Sequence, residues 1–293
     1  LSLAAGPAVA GSGGFDVLNT SVGGRPSAMG SAFIAVPGDI YDLVYNPAGL
    51  ARISSSLGTL TYIDHLLDFQ SGFIGYARPT ASGVLGIGVQ YLDFGRFERL
   101  DNVGNKLGSF GANNLVVSLS FARTYGSRVM YGVNGKLLRA EIDTYGSTAF
   151  ALDAGVMIEM PAPDLYIGFG IFNLGAVQSA FIDTKEQLPL TIRVGFSKKL
   201  EHLPLLASFM LAKQRDEKLR FGAGGDFQLS DNLFLRLGYN SLGTDQRVGT
   251  DRDRFAGVSL GLGLRVSRYS LDYSFSSFGE VGSLNRVSVS GSF

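Results

Sequence analysis

The 293-residue chain has no cysteine and no tryptophan, only two histidines, and little charge: 25 basic and 25 acidic residues, 17% of the whole. Each shortage excludes something. Without cysteine there is no disulfide scaffold and no thiolate metal site, which suits an oxidising envelope compartment. Zero net charge leaves no basic stripe to displace counterions from a nucleic acid, so no nucleic-acid partner is expected. Soluble domains carry roughly 25% charged residues, and this chain falls well short. Long apolar runs are missing too. Leu165–Ile182 has no charge over eighteen residues, but Gly168, Gly170, Asn173, Gly175 and Gln178 interrupt it. Its first half alternates with period two rather than 3.6, so it is not a membrane helix.

Catalytic and metal motifs are also lacking. Gly257-Val258-Ser259-Leu260-Gly261 spells a nucleophile elbow, but that motif needs a sharp strand-to-helix turn, and here the alternation runs on through Val266. His65 and His202 fall at opposite ends of the expected architecture and cannot share a metal. Asp245, Asp251 and Asp253 are interleaved with Arg247, Arg252 and Arg254, the pattern of a solvated or lipopolysaccharide-facing loop rather than a calcium site. No phosphate-binding glycine loop is present. A non-enzyme without metal or cofactor is expected.

What is abundant is glycine, 40 residues, and period-two alternation. Leu190, Ile192, Val194 and Phe196 alternate with Thr191, Arg193, Gly195 and Ser197. Val258, Leu260, Leu262, Leu264 and Val266 alternate with Gly257, Ser259, Gly261, Gly263 and Arg265. Such runs, bounded by Gly, Pro, Asn, Asp or Ser, predict strands near 57–63, 70–79, 83–94, 113–124, 129–142, 147–160, 165–174, 188–198, 203–213, 218–229, 233–242, 255–266, 269–277 and 285–293. That is fourteen, an even number. Connections after even-numbered strands are short, and those after odd-numbered ones include the long Gly95–Ala112, Gly175–Gln187 and Gly243–Arg254. This parity predicts an all-β, 14-stranded antiparallel transmembrane β-barrel in a bacterial outer membrane, with both termini in the periplasm. Tyrosines and phenylalanines near strand ends, such as Tyr62, Tyr91 and Tyr269, supply aromatic girdles.

The strand phase sorts side chains. Leu262 should meet lipid, so Leu262→Arg should damage assembly, and Gly261→Ser, a small change on the lumen side, should be tolerated much better. Lys136, Asp153, Arg193, Arg220, Asp226, Arg236, Arg265 and Asp272 fall on the inward phase, and enclosed charges must be paired or wet. They are expected to bond one another and Arg25, Asp39, Asp42 and Arg52 of the segment before the barrel. A conduit for fatty acids should instead have an apolar inward phase.

Residues 1–10 carry Ala8 and Ala10 in the A-x-A pattern of a signal-peptidase site and read as a truncated signal-peptide tail. Residues 11–56 break the ladder. Pro26 opens a short helix through Ser27–Ala32, and Asn46-Pro47 makes an N-cap and N1 pair for a turn over Ala48–Ala51. Such a segment needs something to pack in, and the lumen of a barrel over 57–293 is available. At the far end, Val287, Val289, Gly291 and Phe293 alternate up to a terminal aromatic, resembling the assembly signal read by the barrel assembly machinery.

The run GGRPSAMGSAFIAVPGDIYDLVYNPAGLARI resembles the N-terminal hatch of the FadL-type superfamily. The match rests on Asn46, Pro47, Ala48, Gly49 and Leu50, preceded by Gly30–Ala35. The opening GRPSAMGSAF and the closing LDYSFSSFGEVGSLNRVSVSGSF are similar to the PorV/PorQ branch, which is associated with type IX protein secretion. That resemblance implies a short plug in the lumen, a barrel associated with secretion to the cell surface, and secretion-system proteins or cargo as partners besides outer-membrane lipid and lipopolysaccharide. The alternative it implies is a FadL-type passive channel for hydrophobic small molecules such as fatty acids. Gly83, Gly86 and Gly88 would then weaken the third strand at a lateral exit.

Overall fold

Period two becomes a closed ring in the computed structural model, which describes residues 13–65, 69–101, 103–181, 186–246 and 251–293. The strands are β1 (Leu57–Asp64), β2 (Gln70–Thr80), β3 (Gly83–Leu100), β4 (Lys106–Tyr125), β5 (Val129–Ile142), β6 (Tyr145–Glu159) and β7 (Leu165–Ser179). They continue as β8 (Thr191–Lys199), β9 (Leu205–Gln214), β10 (Leu219–Gln228), β11 (Leu233–Asn240), β12 (Val258–Val266), β13 (Tyr269–Ser277) and β14 (Ser283–Ser292). Each pairs antiparallel with its neighbours in sequence, and β1 closes on β14 from Leu57↔Ser292 to Asp64↔Asn285. Closure leaves no open edge, as a bilayer requires.

The outer face is apolar. Leu60, Val289, Leu271 and Leu264 are all exposed, and they stand opposite one another along a row that crosses the closing seam. A continuous apolar belt on a closed barrel needs lipid around it. Among the described residues, no helix is long and apolar enough to cross a membrane; the strands do so.

Most strand bounds agree with the alternation to within a few residues, and the departures have physical causes. The expected loop Gly95–Ala112 is mostly strand. β3 and β4 run on as a ribbon to Leu100↔Lys106, after a register shift between Asp93 and Arg96. Gly95, at φ 75°, makes the irregularity, which re-phases the side chains and hides the alternation. β8 starts at Thr191 rather than Leu188 because Pro189 has no ladder donor. β12 starts at Val258 because Asp251–Phe255 forms a 3-10 turn.

Residues 13–56 fill the lumen as a plug. A 3-10 turn over Gly13–Asn19 lies at the end of the barrel that carries the long loops. There Phe15 and Val17 pack on Leu92, Val116, Leu138, Val177 and Leu188. α1 (Gly24–Ala28) and α2 (Asp42–Tyr45) follow, then a 3-10 turn over Pro47–Arg52. α1 ends earlier than the expected helix through Ala32, because Gly30 and Ser31 take positive φ. The Asn46 cap forms as expected: its side-chain oxygen accepts from Ala48 N at 3.1 Å, with Pro47 at N1. At the short-turn end Arg52 pairs with Glu159, and the chain enters β1.

The chain therefore threads the barrel lengthwise. Phe293 lies at the short-turn end, its N–H donating to Ser56 O at 2.9 Å. The first described residues lie at the opposite end; the chain's N-terminal residues, on which the expectation of both termini on one side also depends, lie outside the described residues. The signal-peptide reading of residues 1–10 lies outside the described residues.

Candidate functional site

Glycines line the inner wall at several of the places where the plug touches it. A Cβ at Gly155 would overlap Asn46 Oδ1, one at Gly224 would overlap Met29 O, and one at Gly261 would overlap Ala28 Cβ. The strand glycines thus let plug backbone lie directly on the sheet. The expected better tolerance of Gly261→Ser than of Leu262→Arg thus meets a limit, because the lumen side of Gly261 is already occupied.

The inward charges divide into three groups. In the first, Arg25 of α1 is the hinge between plug and wall. Its Nη1 donates to Asp39 Oδ2 at 2.6 Å, and its Nε to Asp226 Oδ2 at 2.8 Å. Asp226 also accepts from Arg236 Nε at 3.0 Å, and Arg236 Nη1 reaches Asp272 at 2.6 Å. The chain Asp39–Arg25–Asp226–Arg236–Asp272 is the expected plug-to-wall pairing. In the second, Lys136 Nζ lies 2.7 Å from Asp153 Oδ2 and donates to Asn173 Oδ1 at 2.8 Å. A register shift between Leu152 and Ala154, with Asn173 at φ 60°, lets Asn173 N donate to Asp153 Oδ1 at 2.8 Å. Asn134 Nδ2 ties the group to the plug through Leu43 O at 3.2 Å.

The third group departs from the expectation of internal pairing. Arg193 forms no ion pair among the described residues, and its guanidinium lies over the Phe172 ring, 4.4 Å from the centroid. Arg220 sits at the long-loop rim against Glu217 at 3.2 Å and Asp245 at 3.6 Å. Arg265 is exposed next to the β12–β13 turn, 4.8 Å from the Phe234 centroid. An inward phase so close to a strand end meets the rim, not the lumen. Asp42 was expected to pair with an arginine and does not. It is fully buried, its Oδ2 accepts from Asp39 N at 3.1 Å, and its Oδ1 has no hydrogen-bond partner among the described residues. Burial, with Asp39 nearby, pushes its carboxyl well above the usual carboxylate range.

Between plug and wall lies a cavity of about 20 Å³ lined by the apolar Leu18, Leu43, Val44, Phe73, Val116 and Phe172 together with the polar Gln90, Ser118, Lys136, Asn173 and Arg193. It has room for about one water. Above it the apolar cluster around Phe15 continues to the long-loop end. Sequence reasoning overlooked this apolar inner layer, whose residues Leu92, Val116, Leu138 and Val177 share the inward phase with the charges.

The elbow spelling is a strand: Ser259 lies on β12 and donates to Ser276 Oγ at 3.0 Å. No cluster of three metal-ligating side chains occurs among the described residues.

By sequence, no family model and no curated protein matches the chain. Solved structures do. The Ralstonia pickettii toluene transporter TbuX superposes with a TM-score of 0.64 at 13% identity, over 93% of this chain and 98% of that one. The Pseudomonas putida toluene transporter TodX gives 0.63 at 12% identity, over 92% and 96%. The CymD monoaromatic hydrocarbon channel gives 0.62 at 10%, over 93% and 98%. At such identities the likeness concerns fold alone, and these neighbours are channels rather than enzymes. The architecture is a closed 14-stranded antiparallel β-barrel with an N-terminal helical plug, a fold similar to that of these channels.

Proposed function

We propose that the protein is a passive outer-membrane channel of FadL type for small hydrophobic molecules, with the plug as the part that must shift for passage. The observation that carries this is the seam between plug and wall. Apolar side chains descend from Phe15 at the long-loop end to Phe73 and Phe172, and Lys136 and Arg193 face the small cavity there. Ligand pockets are mostly apolar with a few placed polar groups. Arg193, with no carboxylate partner among the described residues, suits a hydrophobic molecule that ends in one. The fold shared with hydrocarbon channels points the same way. Because the seam holds about one water, a ligand needs Leu18 and Leu43 to move aside.

The test is uptake. Cells lacking their own hydrophobic transporter and expressing this protein should take up labelled palmitate or toluene faster than vector controls. Val116→Asp, in the apolar layer, should return uptake to background while the barrel still assembles. Uptake at vector level for both compounds overturns the proposal.

The PorV/PorQ-like, secretion-associated reading is the second, favoured by the β3–β4 ribbon. It projects past the other strands and exposes Phe97, Leu100, Val103 and Leu107. Under that reading, pull-down from native outer membranes recovers exported proteins, and hydrophobic uptake stays at background.

A further inference from the structure

Arg286 belongs to neither the charge chain nor the seam. It lies on β14, opposite Ile63 and Ser274, and is 2% exposed. Arg25 and Arg236 each hold two carboxylates. Arg286, buried as deeply as Arg236, holds none among the described residues. Its Nε donates to Ser21 O at 3.0 Å and its Nη1 to Ser276 Oγ at 3.0 Å. A guanidinium has five donors in a planar fork, so most of this one is unused. A buried cation without an anion is costly.

Beside it lies a cavity of about 30 Å³, lined by Ser21, Ser27, Ser31, Ser259, Ser276 and Arg286. No carboxylate lines it among the described residues. Ser27, also 2% exposed, has a hydroxyl oxygen with no hydrogen-bond partner. Asn240, Leu242, Gly243 and Phe278 also line it, at the long-loop end. The cavity combines one unpaired positive charge, surrounding hydroxyls, an unused donor and room for about two waters.

We propose that this cavity binds a small monovalent anion, of halide or single-carboxylate size, held by Arg286 and Ser27. The anion neutralises Arg286 on the wall and accepts from Ser27 of α1, and so pins the plug to β14. Larger oxyanions with bulky substituents do not fit. The site lies apart from the seam of Arg193 and Phe172, and its test is independent of uptake.

Bromide is the probe. Full-length protein in nonionic detergent is held at constant ionic strength with gluconate, and bromide is titrated in while the unfolding temperature is read. The expected result is a saturable rise in the wild type. Ser27→Ala, which removes one donor without touching the charge, should weaken the apparent Kd about tenfold, and Arg286→Gln should abolish the response. Crystals of the wild type grown with bromide should carry an anomalous peak against the Arg286 guanidinium. If Arg286→Gln does not fold, the wild-type peak and the Ser27→Ala shift decide the matter. A non-saturating response in the wild type, no peak at Arg286, or identical titrations for Ser27→Ala and wild type each overturn the proposal.

Discussion

Replacing Arg25 by methionine keeps much of its length and removes its fork. Asp39, 12% exposed at its side chain, then has no cation, and Asp226, 5% exposed, keeps only Arg236. The chain of two guanidiniums and three carboxylates becomes one guanidinium among three. Breaking a buried ion pair costs about 3–5 kcal/mol. Arg25 is a quarter exposed, so solvent screens part of this, and about 2–3 kcal/mol is expected against the docked plug. That corresponds to a roughly 30- to 150-fold larger undocked fraction. The absence of native cysteine makes this measurable. Val36→Cys, a near-isosteric change at a plug residue 2% exposed, adds one thiol that reacts with maleimide only when the plug opens. Its labelling rate then reports the open fraction. Arg25→Met should speed labelling by that factor, with Arg25→Lys in between because an ammonium cannot reproduce the two-pronged contact. Rates equal in all three would mean that the charge chain does not hold the plug.

The two sides of β12 should fail differently: Leu262→Arg puts a charge in the lipid belt and should block assembly at about 2–4 kcal/mol, whereas Gly261→Ala should assemble, as judged by heat-modifiable gel mobility, but speed labelling of the thiol introduced by Val36→Cys. Asp42, with its carboxyl raised, binds its proton more tightly docked than undocked, so the plug should loosen as pH rises through the docked value. Asp42→Asn should flatten that dependence; a wild-type labelling rate constant from pH 4 to pH 9, on correction for thiol ionisation, would contradict it. An epitope at Asn105, on the ribbon tip, should be stained on intact cells and one at Ala162, in a short turn, should not, the reverse pattern inverting the topology.

The strands were legible because one face of each meets a single environment, lipid, which imposes apolar residues at every second position. The lumen imposes no such uniformity. Glycine, serine, leucine and arginine all occupy its phase, and only the path of the plug decides which is needed where. Phase alone could not distinguish Arg265 at the rim from Arg236 in the interior. Arg286 was legible in principle, standing in step with Ser288 and Ser290, but its strand drew notice for its closing aromatic. The Asn46-Pro47 cap was readable because its geometry is local. Asp42 was not, since its isolation arises from residues distant in sequence.

The plug comes first in the chain, yet its α1 is held by what comes last. Gly24 N donates to Ser288 Oγ at 2.8 Å, Arg25 reaches Asp226, and the Tyr41 hydroxyl meets Thr59 and Thr61 at 2.9 and 3.0 Å, where β1 joins β14. For α1, synthesis order and docking order therefore run opposite. Within the segment from Gly13 to Arg52, which spans the lumen from end to end, α1 has no wall to rest on until β10–β14 exist, whereas the two 3-10 turns rest on β3–β6. The sheet must curl around a strand of its own chain, as a sleeve is sewn shut over a cord, and the last seam to close is the one the Tyr41 hydroxyl hydrogen-bonds.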